Sequence, residues 1–213
     1  IPWDEDMDIS MFDEDYKKLE KILVRMDDED YFYQCIKSDP EHVNVFGKFR
    51  KKNDPVFAAD QRSKYFKYQG VGLDVFSLEK SNRFAAHMAK FLYQNLIHPT
   101  QYIKNRFWRH FAIKSVQLLN FGLLIPLCRL IGHINHKGQY RYKLGSGFYQ
   151  CGFSAEDILP LRTMEFEGIE FPVPGNTDAY LTKIYGDWRK LPSEEQIRKT
   201  MHYPLYIKEI FGE

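Results

Sequence analysis

"IPWDEDMDIS", residues Ile1 to Ser10, sets four acids among apolar residues: Asp4, Glu5, Asp6 and Asp8 interleave with Trp3, Met7 and Ile9. A solvated loop has no use for the apolar set, and a buried strand is penalised for each unpaired carboxylate. Strand geometry reconciles the two. Residues two apart point the same way, so Asp4, Asp6 and Asp8 share one face. Trp3, Glu5, Met7 and Ile9 take the other, where they are expected to seat the strand on a core. Clustered carboxylates repel and cannot all stay ionised in a dry pocket without a compensating cation. Hard oxygen donors on a strand suit Mg²⁺ or Mn²⁺. A calcium loop starting at Asp4 is excluded, because such a loop needs Gly at its sixth position and Glu at its twelfth; the chain has Ile9 and Asp15 there. Taken alone, the stretch leaves two readings open, a metal site or a solvated acidic terminus.

A second segment shifts the balance. "LDV", Leu73 to Val75, places one acid between apolar neighbours. Polymerase-type nucleotidyl transferases pair an Asp-apolar-Asp-apolar strand, here Asp6 to Ile9, with such a third acid on a neighbouring strand. Apolar flanks seat both strands while the acids emerge on one rim, where metals can hold phosphate oxygens. Asp6, Asp8 and Asp74 are thus the candidate metal and catalytic set. Asp4 stands either as a further ligand on the same face or as an outer partner. "GKFRKK", Gly47 to Lys52, adds cations after a strand-like run, and Lys48 and Arg50 are the candidates for phosphate contact, against a solvated basic edge.

Composition narrows the class. The chain has 213 residues, 30 Lys and Arg against 29 Asp and Glu, and 16% aromatic residues. That near-neutral balance argues against a bulk nucleic-acid binder, and the aromatic content argues for a packed fold. Three scattered cysteines with no CxxC pair point to a reducing, cytoplasmic compartment. The apolar run Leu118 to Ile134 is too short for a membrane span and contains Asn120, Pro126 and Arg129. It reads as a buried helix or a helix pair broken at Pro126; the alternative is contact with the inner face of a membrane.

Along the chain, Asp13 to Met26 has helical spacing with acids in its first turn. Short strands are expected in 27–38 and 41–52, and another in 68–79. The stretch from Ser81 to about Ile134 is mainly helical, 147–176 is strand and loop, and short helices lie at Thr177–Asp187 and Ser193–Tyr203. No repeat or linker divides the chain, so one α+β domain is expected over 1–213, with a small mixed sheet carrying the carboxylates, helices around it, and a mainly helical C-terminal half.

Three blocks in this order resemble the LicD family of phosphotransferases, which includes fukutin and the fukutin-related protein: "IPWDEDMDI", then "GLDVFSLE" (Gly72 to Glu79), then "FEGIEFPVP" with "YLTKIYGDWRKLP" (Phe166 to Pro192). Ser77 and Glu79 stand where the family usually has Pro and Asp. The family also carries a glycine-containing upstream segment that helps hold the nucleotide phosphates, so a natural N-terminal segment is expected before Ile1. The resemblance implies a nucleotidyltransferase-like fold and Mg²⁺-dependent transfer of a phospho-alcohol group from CDP-choline, CDP-ribitol or CDP-glycerol. The acceptor would be a glycan hydroxyl, on a lipid-linked glycan in the membrane-contact case, and CMP would be released. Asp74 or Asp4 would take the acceptor's proton. Arg198 and His202, four apart in the third block, become candidate substrate contacts. Two rivals share the fold: nucleotidyl transfer to a small substrate, and a glycan-binding or assembly protein without turnover.

Overall fold

The structure, a computed structural model, describes residues 6–55, 65–146 and 150–200, with backbone alone for 54, 55 and 198–200. Five strands form one mixed sheet. β1 (Asp8–Phe12) runs parallel to β4 (Gly70–Lys80), which pairs antiparallel with β3 (Gly47–Pro55), itself antiparallel to β2 (Tyr31–Gln34). β5 (Tyr140–Tyr142) lies along the far end of β4. The α+β class read from the sequence is what the structure has, with Asp8 and Asp74 on this sheet.

Alternation along β4 explains how the sheet is covered. Val75 and Ser77 face α1 (Asp13–Leu23): Val75 packs with the buried Tyr16, and Ser77 Oγ donates to Asp13 Oδ1 at 2.9 Å. Phe76 and Leu78 face the other way, into a core with Phe46, Tyr142, Phe153 and Ile158. That side is closed by a short helix α5 (Ala155–Ile158) and by Tyr180 and Ile184 of α6 (Thr177–Tyr185). A hairpin of β6 (Arg162–Phe166) and β7 (Ile169–Val173) joins α5 to α6, and α7 (Glu194–Thr200) follows. Burial tests the expected anchoring of β1. Met7 and Ile9 are both exposed, and Met11 and Phe12 do the seating. Pairing with β4 starts at Asp8, so Asp6 and Met7 lie before the shared sheet.

Helix dominates the middle of the chain. α2 (Arg83–Leu92) leads through a π turn (Tyr93–Ile97) and a 3-10 turn (His98–Tyr102) to α3 (Arg106–Leu119), a second π turn (Asn120–Leu124) and α4 (Ile125–His133). Of the two expected forms the unbroken helix is the one present, and it is not too short to span: the helical run is continuous over Arg106–His133 and is long and apolar enough to cross a membrane. The π turn is the reason. Ile125 N–H bonds back to Asn120 O across the wider turn, which absorbs the missing donor of Pro126 at the start of α4. Asn82 joins the two ends of this layer. Its side chain caps α2 by accepting from Ala85 N, and its amide donates to Ile131 O and Ile134 O at the end of α4.

Between sheet and helices lies His42, 2% exposed, with Nε2 2.8 Å from Phe46 O. Burial pushes its pKa down to about 4 from the ordinary 6.5, the Phe46 hydrogen bond and Asp39 opposing. The folded chain therefore holds His42 neutral where the unfolded chain would already be protonated. This contribution to stability is complete above pH 6.5 and is lost as pH falls toward about 4, amounting to about 3 kcal/mol. His42→Gln is expected to flatten that part of a profile of urea midpoint against pH; a wild-type profile with no slope there would refute the assignment.

Candidate active site

The parallel register of β1 and β4 sets Asp8 directly beside Asp74. The antiparallel register of β3 and β4 sets Lys48 beside Asp74 from the other side. Three residues distant in sequence thus meet on one face of three adjacent strands. Lys48 Nζ lies 2.8 Å from Asp74 Oδ1, with side chains 20% and 15% exposed. This contact is an ion pair without the angles of a directed hydrogen bond, so the buried Oδ1 lacks a directed donor among the described residues. Gly72 makes the arrangement possible. A Cβ there would stand 2.7 Å from Lys48 Cγ and Cδ, so the lysine stem crosses the strand over a glycine. Gly72→Ala is expected to displace the Lys48 stem, breaking the ion pair and lowering turnover about tenfold, with a thermal midpoint within a few degrees of wild type. Unchanged turnover would show that Lys48 needs no such seat.

Beneath Asp8, Ser10 and Phe12 continue the same face of β1. Ser10 hydrogen-bonds to Tyr142 and Tyr180, whose hydroxyls lie 3.2 Å apart. Burial raises the pKa of Tyr180; hydrogen bonds from Tyr142 and Ser10 lower it, the charge of Asp8 raises it, and the net shift is upward. Tyr180 thus stays a neutral phenol below the acid pair, tying α6 to the site. On the opposite face Asp13 sits at the start of α1. Burial acts to raise its pKa, but Lys17, Lys143 and Ser77 outweigh that and hold the carboxyl below its ordinary range.

Asp6 precedes β1 in an exposed bend. Arg50 leaves the rim: it is 7% exposed, with Nε donating to Gln34 Oε1 at 2.6 Å and Nη1 to Gly70 O at 2.8 Å. Gln34 in turn donates to Asp39. The inward turn of Arg50 follows from Gln34 and the Gly70 carbonyl, which no local pattern reveals. Arg198 lies on α7, described there as backbone only, and Asp4 and His202 lie outside the described residues. A cavity of about 350 Å³ opens elsewhere, lined by Tyr16, Lys37, Phe121 and Lys143 among others, and takes in neither Asp8 nor Asp74. Sequence reading missed Gly72 and the Ser10–Tyr142–Tyr180 set; the former had a signal, a glycine two residues before the acid on the same strand face.

Among the described residues no three Asp, Glu, His or Cys side chains converge as a metal cage. The donor set still fits Mg²⁺, which keeps waters and is held by one or two carboxylates together with substrate phosphates. Asp8 and Asp74 would supply the hard oxygens, and the buried Oδ1 of Asp74 already sits against the positive charge of Lys48.

No family model matches the chain, and no solved structure matches it. It is similar to the lipopolysaccharide cholinephosphotransferase LicD of Haemophilus influenzae, 24% identical over 229 aligned positions that span 99% of this chain and 82% of LicD.

Proposed function

We propose, from this distant kinship to LicD along nearly the whole chain, that the protein transfers phosphocholine or a similar phospho-alcohol from a CDP-linked donor to a hydroxyl of a glycan such as lipopolysaccharide. The observation that carries the proposal is the juxtaposition of Asp8, Asp74 and Lys48 on one sheet face. In the reaction the acceptor oxygen bonds to the phosphorus that carries the choline. The bond from that phosphorus to the bridging oxygen breaks, and CMP leaves with the bridging oxygen. Such transfer depends mainly on positioning and charge neutralisation, so no Ser or Cys nucleophile is required. Asp8 and Asp74 would hold Mg²⁺ or Mn²⁺, which neutralises the diphosphate and stabilises the leaving CMP. Lys48, at 2.8 Å from Asp74, is positioned to exchange its carboxylate partner for a donor phosphate oxygen. Asp74 or Asp4 accepts the acceptor's proton, while Tyr180 holds α6 against the strand that carries Asp8.

The test is direct. The purified chain with Mg²⁺ and glycan acceptor is incubated with CDP-choline, CDP-ribitol or CDP-glycerol, and CMP is measured. CMP release from at least one donor, dependent on acceptor, is expected. A nucleotidylated acceptor without CMP would select nucleotidyl transfer instead, and no product from any donor would overturn the proposal.

A further inference from the structure

The helical run Arg106–His133 is amphipathic in the reverse of the usual sense. A surface helix ordinarily turns polar residues outward. Here the buried side of α3 and its π turn includes Arg109, Gln117 and Asn120, while Phe107 (68% exposed), Phe111, Leu118 (77%), Leu127 and Leu130 (65%) point outward. The π turn inserts one extra residue, so the outward stripe stays in phase as it passes from α3 into α4. Exposed apolar area on this scale marks contact with something other than water. Charge identifies the contact. Between Glu79 and Glu156 the chain has eleven lysines and arginines and no aspartate or glutamate, although the whole chain is nearly neutral. Lys104, Arg106, Lys114 and Lys137 are exposed along this run and at its ends, and Arg83 is exposed on the neighbouring α2.

We infer that this face docks on the surface of a bilayer containing anionic phospholipid. Apolar side chains enter the headgroup–acyl boundary, and the cations around them meet lipid phosphates. A second copy of the chain fits less well, because an isologous pairing would press one acid-free surface against another. Spanning is opposed by the way the run is fixed to the protein along its length. Arg109 pairs with Glu41, Gln117 donates to His42 O, Arg129 pairs with Glu79, and the end of α4 is held by Asn82. The helix therefore lies flat, with 28% of its most apolar window buried against the protein.

The inference does not depend on the transferase reading, because its readout is lipid binding. The full chain is floated with vesicles of phosphatidylcholine alone or mixed with phosphatidylglycerol, at low and high salt. Its mass without lipid is measured by light scattering. Flotation with the mixed vesicles is expected, weakened by salt and absent or much weaker with phosphatidylcholine alone. Leu118→Glu with Leu130→Glu should lower bound protein at least tenfold, with unchanged circular dichroism and thermal midpoint, since both sites are exposed. Lys114→Glu should raise the phosphatidylglycerol fraction needed. Three outcomes would overturn it: no flotation, flotation indifferent to the leucine variants, or a lipid-free dimer that those variants dissociate while vesicles capture nothing.

Discussion

Asp74→Asn is expected to lower CMP release from the preferred CDP-linked donor by roughly 10²–10³-fold, the loss seen when one group that stabilises developing charge is removed. The amide keeps the shape of the side chain and one oxygen, so β4 should pair as before. What disappears is the negative charge that Asp8 and Lys48 both face. Lys48, one-fifth exposed, can turn its ammonium into water, so unfolding free energy should fall by only about 1 kcal/mol. The discriminating comparison is Asp13→Asn. That residue also pairs with lysines, but on the opposite face of the sheet, with Ser77. It should lose stability at neutral pH, because its carboxyl is held below the ordinary range and the gain is present above pH 3.8, fading as pH falls further. Its turnover should change far less. If Asp74→Asn retained more than a tenth of wild-type CMP release, Asp74 would not lie at the reacting phosphorus.

The largest effect on stability is expected at Glu41. Arg109 is 2% exposed and binds Glu41 through two nitrogens, each at 2.8 Å from a carboxylate oxygen. Its remaining nitrogen donates to Ile103 O and Lys104 O, and the Tyr65 ring lies 3.7 Å from the guanidinium carbon. Removing one partner of a buried pair leaves the other charge uncompensated, at a cost of about 3–5 kcal/mol. Glu41→Ala should therefore lower the thermal midpoint by about 6–15 °C in a chain of this size. Changing both members, Glu41→Met with Arg109→Met, should restore much of the loss, since the penalty lies in the orphaned charge. A shift of less than about 1 kcal/mol for Glu41→Ala would mean that water reaches Arg109. Because Arg109 fixes α3 to the loop before β3, the same substitution loosens the start of the outward apolar helix.

Local pattern and tertiary context divide cleanly in this chain. The spacing of Tyr16, Leu19 and Leu23 is enough to place α1, and it does so within the chain itself. Asp74 between Leu73 and Val75 is enough to mark a strand that presents an acid, since period two is a property of the backbone. Both are short-range signals. Which acid stands beside Asp74, and whether Arg50 turns to the rim or inward, depend on register and on neighbours such as Gln34 and Gly70, far away in sequence. The sense of the helix Arg106–His133 belongs with these. Its apolar residues alone suggest a core helix, and long-range contacts such as Arg109 with Glu41 and Gln117 with His42 show which side is inward. The sequence by itself therefore determined the α+β class, the strands that carry Asp8 and Asp74, and a resemblance of three ordered blocks to the LicD family, because periodicity and motif order are written along the chain. The tertiary structure alone decided that Asp8, Asp74 and Lys48 share one face and that a helix turns its leucines outward, because burial and register are set by contacts the linear order does not contain.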